Sequence, residues 1–228
     1  MADDAEAIQR HLLQLKELRG ARDTLPPRLK ELKRWQSVRL KETYADLAAE
    51  PRYREATSFF LDDLYGPKDF SGRDQAMLRI VPVMRRLLPA TAVETAALAI
   101  ELEALSEDLD HRLAAALPEG PIDAESYAEA YRASSTRAER ERQVELIVAV
   151  GTRLDALVRK PFVFSTLKLM RQPSRVAGLS DLQDFLERGF ESFREMGGAK
   201  PFLETVRERE TALLRSLFSG EEALPSSS

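Results

Sequence analysis

Apolar residues recur at three- and four-residue steps along almost the whole chain, and nowhere alternate one by one over a useful length, so the pattern predicts helices and no sheet. Residues 4–19 place Ile8, Leu12, Leu15 and Leu18 on one stripe that ends at Gly20. Pro26 and Pro27 open a helix over 27–49 with Leu29, Leu32, Trp35 or Gln36, Leu40, Tyr44 and Leu47 inward. Residues 4–49 then form either an N-terminal hairpin packed on the rest or a coiled-coil seam between two copies, and a length of about three heptads favours the hairpin. Thr91 with Glu94 predicts a capping box for a helix to about 117, and Thr136 with Glu139 a second for a helix to about Lys160. A short helix over 123–133 carrying Tyr127 and Tyr131 lies between them. Pro161 restarts the chain and Pro173 ends that segment; Ser180 with Gln183 reads as a third box for a helix stopped by Gly197 and Gly198. Pro201 opens the last helix, and 219–228 read as a disordered tail. The expected architecture is all-α, a multi-helix bundle of about nine helices in a single domain over 1–218.

One stretch breaks the local rules. Residues 51–65 read as one helix, with Pro51 in its first turn, Gly66 and Pro67 as a sharp stop, and Tyr53, Phe60 and Leu64 on one face widened by Phe59 and Leu61. Asp62 and Asp63 fall in its last turn, where the helix dipole disfavours negative charge. Ser71 with Asp74 predicts the cap of a following helix that Pro82 kinks. Two accounts follow. In one, this is a rigid corner in which Asp62 or Asp63 accepts from the next helix's N-terminus or pairs with Lys68 or Arg73. In the other, Phe59, Phe60, Asp62, Asp63, Tyr65 and Arg73 line a ligand pocket. The run Phe59-Phe60-Leu61-Asp62-Asp63-Leu64-Tyr65-Gly66 resembles the signature of the FFLEE-motif family of uncharacterised bacterial proteins, with two aspartates where the family name implies glutamates. The resemblance extends to Phe185-Leu186-Glu187-Arg188-Gly189-Phe190 and implies no particular reaction.

Composition narrows the chemistry. Charged residues make up 32% and hydrophobic residues 43% of the 228, which suits a folded helical chain rather than disorder. A net charge of −4 argues against general nucleic-acid binding. With no cysteine there is no disulfide, thiolate nucleophile or zinc–thiolate site. The acidic start and the absence of any apolar run of spanning length point to the cytoplasm. No glycine-rich phosphate loop or nucleophile elbow occurs, and no cofactor is implied.

Charge is unevenly spread. Between 94 and 125 nine carboxylates stand against Arg112, and between 153 and 175 six bases stand against Asp155. Either the two stretches face each other or are solvated faces, or the basic one, interleaved with Phe162, Phe164 and Met170 and bearing Lys168, Arg171 and Arg175, meets an unknown protein or an anionic ligand such as a phosphate-bearing molecule, a lipid headgroup or an RNA backbone. A metal alternative draws on Asp62, Asp63, Glu101, Asp108 and His111. Glu94, Glu101 and Asp108 recur every seven residues, and Asp108 with His111 has the carboxylate-x-x-histidine spacing of helical-bundle di-iron proteins. That site as usually built needs two such motifs, and the chain has two histidines of which His11 has Ile8 three residues before it. The sequence therefore favours a non-catalytic protein that binds a partner or an anionic ligand, with a carboxylate-based metalloenzyme as the alternative.

Overall fold

The structure, a computed structural model, describes the backbone of residues 2–19, 25–64, 89–176, 178 and 180–220, and their side chains except at 2–5, 63 and 64. All regular structure in these residues is helical and no strand occurs among them, so the fold is all-α. The chain runs through α1 (Ala2–Arg19), α2 (Pro27–Thr43), α3 (Ala45–Ala49) and α4 (Arg54–Ser58), the last continued by a π-helical turn over Phe59–Leu64. It resumes with α5 (Ala90–Ala116), α6 (Ala124–Ser134), α7 (Arg137–Val158), α8 (Pro161–Leu169), α9 (Arg171–Val176), α10 (Ser180–Met196) and α11 (Lys200–Ser219). Tyr65, Lys68, the expected cap at Ser71, Arg73, the expected kink at Pro82 and the expected tail beyond Gly220 lie outside the described residues.

The long helix α5 receives α1, α2, α6 and α7, while α7 also packs on α8, α10 and α11. Among the described residues, apolar contact is divided among three clusters. Ile8, Leu12 and Leu15 of α1 bury against Val93, Ile100 and Ala104 of α5. Leu29 and Leu32 of α2 bury with Leu113, Leu117, Tyr127, Tyr131 and Leu217, where Trp35 stacks on Tyr127 at 4.3 Å. The largest cluster joins Leu40, Tyr44, Tyr53, Phe60 and Leu61 to Phe190, Phe193, Phe202 and Val206. These are the stripes that three- and four-residue periodicity marks out.

Several boundaries differ from the expected ones, some because a distant contact outweighs a local signal and one because of a local turn. The helix expected over 27–49 breaks at Tyr44: Arg209 of α11 donates to the Thr43 carbonyl at 2.6 Å, and the Tyr44 hydroxyl donates to Glu210 at 2.7 Å. The helix expected from Pro51 starts only at Arg54, because the Glu50 carbonyl accepts from both Tyr53 and Arg54 in a turn. Thr91 and Glu94 form no capping box. Pro89 is the cap residue, and Glu94 is drawn to Arg153 at 2.7 Å. The box at Thr136 and Glu139 is present as expected.

Pro173 does not end a segment but sits third in α9, where its missing N–H leaves no intrahelical bond unmade. The expected box at Ser180 is replaced by a cross-link, since Gln183 donates to the Leu167 carbonyl at 2.7 Å and accepts from Ser174 at 3.0 Å. That carbonyl also accepts from the Met170 N–H at 3.1 Å, at the end of α8. The predicted stop at Gly197 and Gly198 is observed, with φ of +66° and +128° that L side chains rarely adopt.

Candidate functional site

The unusual stretch lies in the π-helical turn. A π turn is wider than an α turn and frequently marks a functional position. Here it directs two adjacent aromatics to different neighbours. Phe59 tilts against Phe185 of α10 at 5.2 Å, and Phe60 meets Tyr44 edge-on at 6.0 Å. The Phe59 ring rests directly on the backbone of α10: a Cβ added at Gly189 would lie 2.6 Å from its Cζ. Gly189→Ala is accordingly expected to destabilise the fold by about 1–3 kcal/mol in urea unfolding, with partial recovery in Gly189→Ala/Phe59→Leu. Equal midpoints for parent and Gly189→Ala would show that the ring moves aside freely. Asp62 is turned outward, its side chain 48% exposed, 3.4 Å from Lys41 and accepting from the Ser58 hydroxyl at 3.1 Å. The side chain of Asp63, and Tyr65 and Arg73 entirely, lie outside the described residues.

The basic residues Lys168, Arg171 and Arg175 fall on the α8–α9 segment, and they are not equivalent. Arg171 is held: its Nε donates to both oxygens of buried Glu187 on α10 at 2.7 and 2.8 Å, and this hydrogen bonding raises the arginine and lowers the glutamate pKa. Lys168 places its ammonium 4.3 Å over the Phe164 ring, which stacks on Phe190. Neither Lys168 nor Arg175 forms an ion pair among the described residues. Beside them Phe162, Leu169 and Val176 are 54%, 78% and 88% exposed. Of the other large hydrophobics among the described residues, only Leu13 and Val38 are comparably open. Phe59 and Arg171 both reach α10, through Gly189 and Glu187, so this helix joins the two candidate regions without bringing them into one pocket.

The carboxylates of the metal alternative are dispersed. Glu101 accepts from Arg142 at 2.8 Å, and Asp108 lies 3.0 Å from Arg112, which also holds Glu139 at 2.7 Å. His111 Nε2 is 3.5 Å from Glu107. Among the described residues no group of three or more histidine, aspartate and glutamate side chains is arranged to hold a metal ion. Of the acids between 94 and 125, Glu94 reaches the 153–175 stretch through Arg153, whereas the others that pair do so with α1, α2, α7 or within α5.

The most deeply placed charge was not singled out by spacing. Glu107 is 3% exposed. It accepts from Lys33 of α2 at 2.8 Å and Arg19 of α1 at 3.3 Å, and Arg19 also donates to Glu103 at 2.9 Å. Burial pushes its pKa up, but His111, Lys33 and Arg19 together hold it well below the ordinary carboxylate range. Asp110, one turn on, accepts from Gln36 at 3.0 Å and is raised by burial despite Lys33. Val93, Ile100 and Glu107 are seven residues apart, so a carboxylate continuing an apolar stripe is the signal that marks it. A second interior group sets Arg39 3.6 Å from Glu210, with Arg140 4.1 Å over the Tyr131 ring.

No curated protein matches the chain, and no solved structure does. The model of one family, described as "Domain of unknown function (DUF8198)", matches residues 16–224, nearly the whole helical assembly that carries these clusters, and the chain belongs to that family.

Proposed function

We propose that the protein is a non-catalytic binding protein that takes an anionic partner on the α8–α9 face. The observation that carries this is the company of three large apolar side chains standing in water, Phe162, Leu169 and Val176, with two bases, Lys168 and Arg175, that make no ion pair among the described residues. Exposed apolar side chains grouped together mark interaction surfaces, and unpaired bases beside them select an anionic counterpart. No acid occurs between Lys160 and Val176. In this reading the turn over Phe59–Leu64 is a structural anchor: it seats α10, which presents Glu187 to Arg171 and so fixes the direction of α9.

The test is binding of labelled polyglutamate and of short polyphosphate, followed by anisotropy at two ionic strengths. The parent is expected to bind at least one probe in a salt-dependent manner, and Lys168→Glu/Arg175→Glu to bind it at least about tenfold more weakly. The melting temperature should fall by less than about 4 °C, because the losses within the fold are the Lys168–Phe164 contact, about 1 kcal/mol, and a solvent-screened attraction of Lys168 for Glu187. Reversal of Arg171 is a poor probe by comparison, since it sets a carboxylate against Glu187. Equal binding by parent and variant, or absence of binding to both probes and to anionic lipid vesicles as well, overturns the proposal.

A further inference from the structure

We infer that the partner of the α8–α9 face is an anionic lipid surface, an inference that rests on the binding reading above. The segment 161–176 is a single helical path bent at Met170, whose φ of −74° and ψ of −10° remain helical. Bonds of helical spacing continue on both sides of the bend, from Met170 to the Thr166 carbonyl at 3.1 Å and from Ser174 to the Met170 carbonyl at 2.8 Å. Phe162, Leu169 and Val176 are each seven residues apart, a step that keeps them on one side of such a path. The opposite side is already satisfied, because Val163 is buried in the largest cluster and Phe164 and Leu167 pack against it. A helix at the surface of a water-soluble fold needs one apolar stripe; this one has two, and the second faces out.

The form of the outer stripe favours a fluid partner over a folded one. Exposures of 78% at Leu169 and 88% at Val176 mean that these side chains stand nearly clear of the described residues. A folded partner must supply a shaped pocket for each. Acyl chains close around any apolar projection, while lysine and arginine on flexible stems keep their charges at the level of the lipid phosphates. Lys160, Lys168 and Arg175 supply those charges, and the segment has no acid to repel an anionic leaflet. Arg171, although its side chain is 55% exposed, has its charge engaged by Glu187 and influenced by Asp184 and Glu191 of α10. Because no helix among the described residues is long and apolar enough to cross a membrane, the association is interfacial.

The test is sedimentation of the full chain with vesicles of phosphatidylcholine alone and of phosphatidylcholine mixed with phosphatidylglycerol, at low and moderate salt. Binding is expected to the mixed vesicles, at least about tenfold weaker to the neutral ones, and reduced by salt. Lys168→Glu/Arg175→Glu and, separately, Leu169→Ser/Val176→Ser should each weaken it by about tenfold or more, the second without any change of charge. The serine variant alters side chains already in water and should keep the parent's melting temperature. Failure to bind mixed vesicles, or undiminished binding by the serine variant, overturns the lipid inference. If vesicles fail while polyglutamate or polyphosphate binds through Lys168 and Arg175, the lipid inference falls and the anionic-partner reading stands; failure with all three probes overturns both.

Discussion

Replacing Glu107 with glutamine is expected to lower the unfolding free energy by about 3–5 kcal/mol, the cost of removing one partner from a buried ion pair. The carboxylate is 3% exposed and holds Lys33 at 2.8 Å and Arg19 at 3.3 Å, so neutralising it leaves two cations in the interior of the α1–α2–α5 junction. Urea unfolding measures the change. A loss below about 1 kcal/mol would mean that Glu103 and Asp110 take over both cations. The pH dependence gives a second readout. A carboxyl held below its unfolded value contributes stability that is complete above that value, about 4.3, and is lost as the pH falls through the acid range. Glu139 and Asp46 act in the same direction, each held at about 2, the first by a hydrogen bond from Arg112 and the second by one from Arg209. Asp110, raised by burial, acts oppositely: its ionisation costs stability, so protonation on acidification relieves it. Glu107→Gln should therefore show a shallower decline of stability below about pH 4 than the parent, and an unchanged slope would remove Glu107 as a source of the acid sensitivity.

Phe60→Ala should cost about 3–5 kcal/mol, the usual range for emptying a buried aromatic site. The ring is 9% exposed and sits edge-on to Tyr44 at 6.0 Å in the largest cluster. Tyr44 in turn donates to Glu210, the partner of Arg39, so the cavity also loosens a buried hydrogen bond. A double-mutant cycle of Phe60→Ala with Tyr44→Phe should accordingly show coupling of about 0.5 kcal/mol or more. A loss under about 1 kcal/mol for Phe60→Ala, with the fold retained, would show that the ring contributes little to the core.

The inward positions were legible wherever an apolar stripe ran without interruption. Ile8, Leu12 and Leu15, Leu29 and Leu32, and Phe202 and Val206 are buried where their spacing puts them. Signals that act within one turn were also legible, such as the Thr136–Glu139 box and the stop at Gly197 and Gly198. The candidate site was legible only in part. That 153–175 is basic and aromatic is visible in the chain, but the difference between Arg171, held by Glu187, and Lys168, without an ion pair among the described residues, is not. Nor does the chain show that Leu169 and Val176 are open, because their stripe differs from the buried one at Val163 only in what packs against it.

The helical fold class and the residues that share a helix face could therefore be read from the chain alone, since both follow from backbone sterics and side-chain periodicity over a few turns. The tertiary structure decided which of those faces meet and which charges they enclose. Spacing picked out Glu101 and Asp108, yet the enclosed carboxylate is Glu107, because Arg19 and Lys33 arrive from helices 88 and 74 residues away in the chain. It likewise ended α2 at Thr43 through Arg209 and turned Gln183 from a cap into a cross-link to Leu167. A local cap contributes about 1 kcal/mol, whereas leaving a buried charge or carbonyl unpaired costs more, so where the two conflicted the long-range partner set the structure.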